Sequence, residues 1–130
     1  MDIPKIIIAD DESDLCKTIN KFISERINCE VSEAANGYQA IEFLKEKGCD
    51  LMLLDYKMPG ISGLEVLKEA KKLTPDASIF VITKWDSPEV SKAVQEQGAE
   101  YIPKPLSLKV LLGKIQEKLT SISKYHPKVP

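Results

Sequence analysis

The stretch Leu51-Met52-Leu53-Leu54-Asp55 places four apolar residues in a row and ends them with a carboxylate. Residues 6–9 form a similar apolar run, which Asp10 follows. Residues 79–82 form a third, which the hydroxyl of Thr83 follows. Unbroken apolar runs of about four residues are typical of strands that are buried on both faces, as in parallel sheets. The three runs therefore predict the inner strands of a parallel sheet.

Working outward, each run is followed by a segment with an apolar stripe at helical spacing. The stripes are Leu15, Ile19, Phe22 and Ile23; Tyr38, Ile41 and Leu44; Leu64, Leu67 and Ala70; Val90, Ala93 and Val94; and Leu108, Leu111, Leu112, Ile115, Leu119 and Ile122. Weaker apolar runs at 29–32 and 101–102 bring the predicted strands to five. Asn36 and Ser87 are favourable helix starts. A strand–helix unit repeated five times predicts an α/β domain with helices on both faces of a parallel sheet.

The composition indicates one soluble domain. A chain of 130 residues fits a single compact unit. The 18 Lys+Arg against 20 Asp+Glu give a net charge of -2, so the basic excess of a nucleic-acid-binding face is missing. The three cysteines show no C-x-x-C spacing, and no apolar run reaches the ~18 residues of a membrane helix. We therefore predict a cytoplasmic protein that binds neither nucleic acid nor membrane.

The residues that end the strands carry the chemistry. Sites in open parallel sheets form outside the carboxyl ends of the strands. That edge would gather the acidic run at residues 10–12, Asp55, Thr83 and Lys104. Clustered carboxylates repel, and a hard divalent cation with oxygen ligands relieves that repulsion. With such a cation, Asp55 can act as a nucleophile toward phosphorus, while Lys104 and Thr83 stabilise the transferring group.

These motifs, taken in order, resemble the receiver (CheY-like) domains of two-component response regulators. The motifs are Asp10-Asp11, Asp55-x-x-Met58-Pro59-Gly60-x-x-Gly63, Thr83, and Tyr101-Ile102-Pro103-Lys104-Pro105. The resemblance covers the chain from about Lys5 to the last helix. It implies a single doubly wound (βα)5 flavodoxin-like domain over residues 1–124, with strand order 2-1-3-4-5. Residues 125–130 are then a Pro-rich C-terminal tail, which we expect to be frayed or to begin a linker.

The resemblance also implies roles for the site residues. Asp55 would accept a phosphoryl group from the phosphohistidine of a sensor histidine kinase or histidine phosphotransfer protein. Mg²⁺ (or Mn²⁺) would be bound directly by Asp11, Asp55 and the backbone carbonyl of Lys57, and through water by Asp10. Lys104 would contact the phosphoryl group.

A second set of implied roles concerns signalling. Thr83 and Tyr101 would form a switch pair that alters the face made by the fourth helix, fifth strand and fifth helix. That face would bind a partner or form a phosphorylation-dependent homodimer. The peptide bond between Lys104 and Pro105 would be cis. The domain would be no enzyme beyond catalysing its own phosphorylation and dephosphorylation.

One position departs from the family pattern. Three functions other than a phosphoacceptor also have to be considered. Lys84 stands where the family usually has Ala or Gly, which keeps open a receiver-like interaction module that never turns over phosphate. A small Mg-dependent phosphohydrolase would typically carry an acid two residues after its nucleophile, but Lys57 occupies that position. A flavodoxin-like FMN carrier would place phosphate beside the acidic run at residues 10–12, which would repel it.

Overall fold

The computed structural model of the chain describes residues 2–84, 87–104 and 106–129. Strands and helices alternate five times, which confirms the predicted order. The elements are β1 (Lys5–Ala9), α1 (Ser13–Ser24), β2 (Glu30–Ala34), α2 (Gly37–Lys47), β3 (Leu51–Asp55), α3 (Gly63–Leu73), β4 (Ser78–Thr83), α4 (Pro88–Glu96), β5 (Glu100–Pro103) and α5 (Leu108–Ser121). The cis bond predicted before Pro105 falls outside the described residues. Within them, none of the helices combines the length and apolar character that crossing a bilayer requires.

The strands form one parallel sheet in the order β2-β1-β3-β4-β5, which confirms the predicted topology. β3 lies at its centre, where Leu51 pairs with Ile6 of β1 and with Ser78 of β4. All five residues of β3 are buried, as its apolar sequence requires. The edge strand β2 includes Glu30 and Glu33, and only its last residue is buried. Its exposure at the edge of the sheet explains why its apolar run is weak.

The two faces of the sheet bury separate cores, because successive side chains of a strand point to opposite sides. On one face, Ile7 and Ala9 pack with buried residues of α2, α3 and α4. On the other, Ile6 and Ile8 pack with α1 and α5. With both faces covered, the inner strands meet solvent at their ends. Polar groups placed there can be half-buried and still reach a ligand.

Both predicted helix starts are confirmed. The side chain of Asn36 accepts a hydrogen bond from the backbone N–H of Gln39 at 2.9 Å. Ser87 does the same for Val90 at 3.1 Å, with Pro88 in the first turn. Each cap satisfies a backbone donor that has no partner within the helix.

Two members of the predicted stripes are exposed. Tyr38 is 64% exposed, because Gly37, Ala40 and Leu44 form the buried face of α2 instead. Its ring lies beside Gly60, where an added Cβ would come within 2.9 Å of Tyr38 Cε2. Ile122 is 40% exposed and follows the last residue of α5.

The C-terminal segment is held against the domain rather than frayed. The backbone N–H of Asn28 donates to the carbonyl of His126, and the N–H of Lys128 donates to that of Arg26, both at 2.8 Å. Tyr125 packs on the core formed with α1 and α5, and its hydroxyl accepts a hydrogen bond from Gln116 at 3.0 Å. This segment therefore forms a clasp over the loop that connects α1 to β2. A domain boundary after residue 124 remains a prediction.

Gly63 lets the chain after β3 fold back on itself at the start of α3. Its N–H donates to the carbonyl of Tyr56 at 2.9 Å. A Cβ at Gly63 would lie 2.4 Å from that oxygen and 2.6 Å from Tyr56 Cα. These are backbone atoms that cannot rotate away, so the spacing of Gly63 from Asp55 reflects a close approach of two backbone segments.

We predict that Gly63→Ala lowers the free energy of unfolding by about 2 kcal/mol, because the loop after β3 must shift to admit a methyl group. The matched control is Gly113→Ala, in the exposed part of α5, where an added Cβ meets nothing within 4 Å. That variant should gain about 0.5–1 kcal/mol from helix propensity. Urea unfolding of both variants measures the difference, and a Gly63→Ala protein as stable as the parent would contradict the steric account.

Candidate functional site

The predicted site residues meet at the carboxyl edge of the sheet. Asp10 follows β1, and Asp55 and Thr83 are the last residues of β3 and β4. These three are the buried polar residues of the described chain, with exposed fractions of 5%, 7% and 0%. Lys104 follows β5 and reaches the same place. Buried polar side chains are costly unless they are paired, so their concentration at one edge indicates a built site.

Three carboxylates form a cluster suited to a cation. One ligand atom from each of Asp10, Asp11 and Asp55 lies within 4.8 Å of the others. The register explains the proximity: Ala9 pairs with Leu54, so the next residue of each strand, Asp10 and Asp55, comes side by side. Asp11 is exposed and completes the group from the solvent side. Oxygen ligands of this kind match the preference of Mg²⁺.

Lys104 joins the acidic residues from the far end of the sequence. Its Nζ lies 3.2 Å from Asp10 Oδ2, 3.3 Å from Glu12 Oε1 and 3.7 Å from Asp55 Oδ2. The backbone N–H of Lys104 also donates to the carbonyl of Thr83 at 2.9 Å, which fixes the start of the segment to the end of β4. Sequence reasoning missed Glu12 as a partner of Lys104, although the acidic run at residues 10–12 was the available signal.

Burial and like charge raise the pKa of Asp55 to about 6. Burial is the larger cause and the carboxylate of Asp10 the next, while Lys104 and the backbone N–H of Lys57, 3.4 Å from Asp55 Oδ1, oppose them. For Lys104, burial alone would lower the pKa, but Asp10 and Asp55 together outweigh it and raise the pKa. The site therefore carries more negative charge than Lys104 balances, which favours binding of a cation.

The two predicted switch residues lie on neighbouring strands and on the same side of the sheet. Tyr101 pairs with Val81, which precedes Thr83 by two residues and so shares its face. Thr83 is fully buried, whereas Tyr101 is half-buried and packs on the core that includes α4. The strand order and register thus put Thr83 and Tyr101 on the side of the sheet that carries α4, and their role as a switch pair remains a prediction.

An open cavity of about 510 Å³ gives access to Asp55. Three acids and three lysines line it: Asp11, Glu12, Asp55, Lys57, Lys84 and Lys104. Lys84, the residue that departs from the family pattern, is exposed and belongs to this wall. The carbonyl of Lys57 as a metal ligand remains a prediction.

The chain is similar to known proteins in sequence and in fold. Residues 6–116 match the family model of the response regulator receiver domain. The chain is 29% identical to sporulation initiation phosphotransferase F of Bacillus subtilis over 124 residues, which are 95% of this chain and 94% of that protein. A receiver domain protein (CheY-like) from Methanospirillum hungatei JF-1 superimposes with a TM-score of 0.88 at 31% identity, over 95% of this chain and 98% of that one.

Another relative is a longer protein. Over 90 residues the chain is 39% identical to a cyclic di-GMP phosphodiesterase of Thermotoga maritima, covering 68% of this chain and 24% of that protein. The chain thus spans about a quarter of the length of that relative. The likeness concerns a shared domain and carries no phosphodiesterase activity over to this chain.

We predict that Asp55→Asn stabilises the metal-free protein at pH 7–8 by about 1–3 kcal/mol. The pKa of Asp55 lies above its ordinary value of 3.8, so the folded state disfavours the ionised carboxylate. Stability is consequently lost as the pH rises from about 4 through about 6, and the uncharged amide avoids that loss. Thermal unfolding in chelator between pH 4 and pH 8 measures it. Asp76→Asn, at an exposed loop acid, is the control, and an equal gain in both variants would contradict the account.

Proposed function

The chain belongs to the family of response regulator receiver domains of two-component systems, and from that membership we propose that Asp55 is its phosphoacceptor. The donor would be the phosphohistidine of a sensor histidine kinase or a histidine phosphotransfer protein. The observation that supports this most directly is the placement of Asp55. It is buried at the end of the central strand, with Lys104 Nζ 3.7 Å away and two further carboxylates within 4.8 Å.

The carboxylate cluster fits a divalent cation. Asp10, Asp11 and Asp55, with the backbone carbonyl of Lys57, are the groups that would hold Mg²⁺, and Mn²⁺ would suit the same oxygen ligands. When bound, the cation neutralises negative charge on the transferring phosphoryl group. Burial and the neighbouring Asp10 raise the pKa of Asp55, and a cation held by these residues would oppose both, so that the nucleophile would stay ionised at neutral pH.

The transfer step uses this chain's own groups. An oxygen of Asp55 attacks phosphorus while the bond from phosphorus to the histidine nitrogen breaks, and the bonding pair returns to the imidazole. The product is an aspartyl phosphate, a mixed anhydride that water can later hydrolyse. Lys104 would follow the negative charge onto the phosphoryl oxygens, and the Thr83 hydroxyl would donate to one of them. Both groups already lie at the strand ends beside Asp55.

The signal would pass through the side of the sheet that carries α4. A hydrogen bond from Thr83 to the phosphoryl group would draw its side chain toward Asp55, and the neighbouring Tyr101 ring would follow into the space. Among the described residues of α4, only Val94 is buried, so this helix is the one held by the smallest apolar contact. The face made by α4, β5 and α5 would then bind the partner or a second copy of the chain.

We predict that incubation with acetyl phosphate and Mg²⁺ adds one phosphoryl group to the parent protein and none to Asp55→Asn, because the amide is no nucleophile toward phosphorus. Intact mass spectrometry measures the gain, and chelator should abolish it. Asp76→Asn, which changes the same charge at a distant exposed site, should label like the parent. Equal labelling of Asp55→Asn would refute the assignment, and an unlabelled parent would favour the interaction module that does not turn over phosphate.

We predict that beryllofluoride, which mimics the phosphoryl group, changes amide hydrogen exchange in α4, β5 and α5, because Tyr101 of β5 packs on the core that includes α4 and Ile102 of β5 packs in the core that includes α5. The changes should be largest in α4, whose packing is the least extensive. Asp55→Asn treated in the same way is the control and should show no change. Altered protection confined to residues 12–47 would show that the signal takes a different route.

A further inference from the structure

We propose that Lys84 captures the anionic phosphodonor at the cavity beside Asp55, so that donor charge becomes a determinant of the rate of phosphorylation. This inference rests on the proposed function and adds a specificity residue to it. It concerns a position where a small neutral residue would leave the cavity wall with one ammonium group fewer.

The position of Lys84 follows from the sheet register. Asp55 pairs with Ile82 across β3 and β4, and Lys84 stands two residues further along the same strand direction. It lies just past the carboxyl edge, is exposed, and lines the cavity together with Asp55 and Lys104. A group entering the cavity from solvent therefore meets the Lys84 side chain as part of the wall.

Lys84 and Lys104 differ in how their ammonium groups are paired with carboxylates of the chain. Lys104 lies within 4 Å of three carboxylates of its own chain. Lys84, by contrast, forms no ion pair with any residue that the structure describes. An approaching anion would thus interact with Lys84 without first displacing an acidic partner from among the described residues.

The local charge balance gives this one ammonium group a large influence. The cavity wall contributes three carboxylates and three ammonium groups, and the buried Asp10 adds one negative charge. The site alone is therefore net negative by one, and a bound divalent cation makes it net positive by one. Without Lys84 the loaded site would be neutral. Its attraction for a doubly charged donor would then depend on the arrangement of charges rather than on their sum.

The positive charge of Lys84 must also affect the binding of Mg²⁺, but in the direction opposite to its effect on the phosphodonor. An ammonium group in the wall attracts the phosphodonor and repels Mg²⁺. Removing it should slow phosphorylation and, at the same time, tighten Mg²⁺ binding. A lysine that merely filled space, or that covered Asp55, would not move these two quantities in opposite directions.

The shared chemistry of the donors is a negatively charged phosphoryl group on a leaving group, which could come from a small acyl phosphate or from a phosphorus–nitrogen compound. Acetyl phosphate carries two negative charges, and its phosphorus–oxygen bond breaks with the electron pair leaving on acetate. Phosphoramidate carries one net negative charge at neutral pH. Its phosphorus–nitrogen bond breaks with the pair leaving on ammonia, as in a phosphohistidine donor. For each donor, the ratio of the Lys84→Gln rate to the parent rate holds the leaving group constant, so a change in that ratio reports the loss of the Lys84 charge.

The experiment follows labelling by intact mass for the parent, Lys84→Gln, Lys84→Arg and the control Lys45→Gln. Lys45 lies in the last turn of α2, at the opposite edge of the sheet. With acetyl phosphate at low salt, Lys84→Gln should react roughly threefold to tenfold more slowly than the parent. The loss should be smaller with phosphoramidate and should shrink for both donors at about 0.5 M salt, where exposed charges are screened. Lys84→Arg should retain most of the rate, and Lys45→Gln should match the parent.

A second readout needs no donor. Thermal unfolding against MgCl2 concentration reports cation binding through the stabilisation it brings. For Lys84→Gln, the Mg²⁺ concentration that gives half of the stabilisation should fall by roughly twofold to fivefold. Lys84→Arg and Lys45→Gln should keep the parent value.

The possible outcomes distinguish a failure of the inference about Lys84 from a failure of the proposed function. If the parent takes up no phosphoryl group from either donor, the proposed function fails and the inference fails with it. If the parent is labelled but Lys84→Gln matches it in rate, salt dependence and Mg²⁺ affinity, Lys84 is a solvated surface residue and only the inference is overturned. Faster labelling of Lys84→Gln would also overturn it, because the lysine would then be covering the acceptor.

Discussion

The site depends on a single ammonium group that holds mutually repelling carboxylates at the end of an apolar sheet. Lys104 reaches Asp10 and Asp55 across the sheet, from a position more than ninety residues away from Asp10 in sequence. Its backbone hydrogen bond to Thr83 ties that position to the end of β4. Without the ammonium group of Lys104, the buried carboxylates of Asp10 and Asp55 would face each other at the ends of neighbouring strands with little water to screen them. The strands can end in acids because Lys104 is there, and the acids in turn leave a place for a metal ion.

In this arrangement, stability and reactivity depend on different residues. The two cores on either face of the sheet are almost wholly apolar and hold the strands in register. The polar groups at the strand ends add charge that the fold tolerates rather than needs. A receiver domain can therefore change its net charge by gaining a phosphoryl group without losing its core. On the proposed signalling route, the element that would respond is α4, whose only buried residue among those described is Val94.

Sequence reasoning predicted the fold correctly and predicted that the candidate site residues meet at one edge of the sheet, because both depend on local signals. Short apolar runs predicted the strands, and parallel topology brought the residues after them to one edge, so Asp10, Asp55 and Thr83 were found without knowledge of contacts. Sequence reasoning failed where two interacting residues are far apart in sequence, and where the spacing of apolar residues allows more than one buried face of a helix. Glu12 meets Lys104 only after folding, and Tyr38 fits a helical stripe by spacing although its neighbours Gly37 and Ala40 take the buried face. The clasp was missed because its hydrogen bonds come from the backbone, which carries no sequence signal.

That clasp has a mechanical consequence. The hydrogen bonds from Asn28 and Lys128 fasten the segment after α5 to the loop before β2, at the edge of the sheet opposite Asp55. Tension on the chain beyond Lys128 would load these bonds and the packing of Tyr125 before it reached α5. Such a load would thus be taken up first by the clasp, at the opposite end of the strands from Asp55.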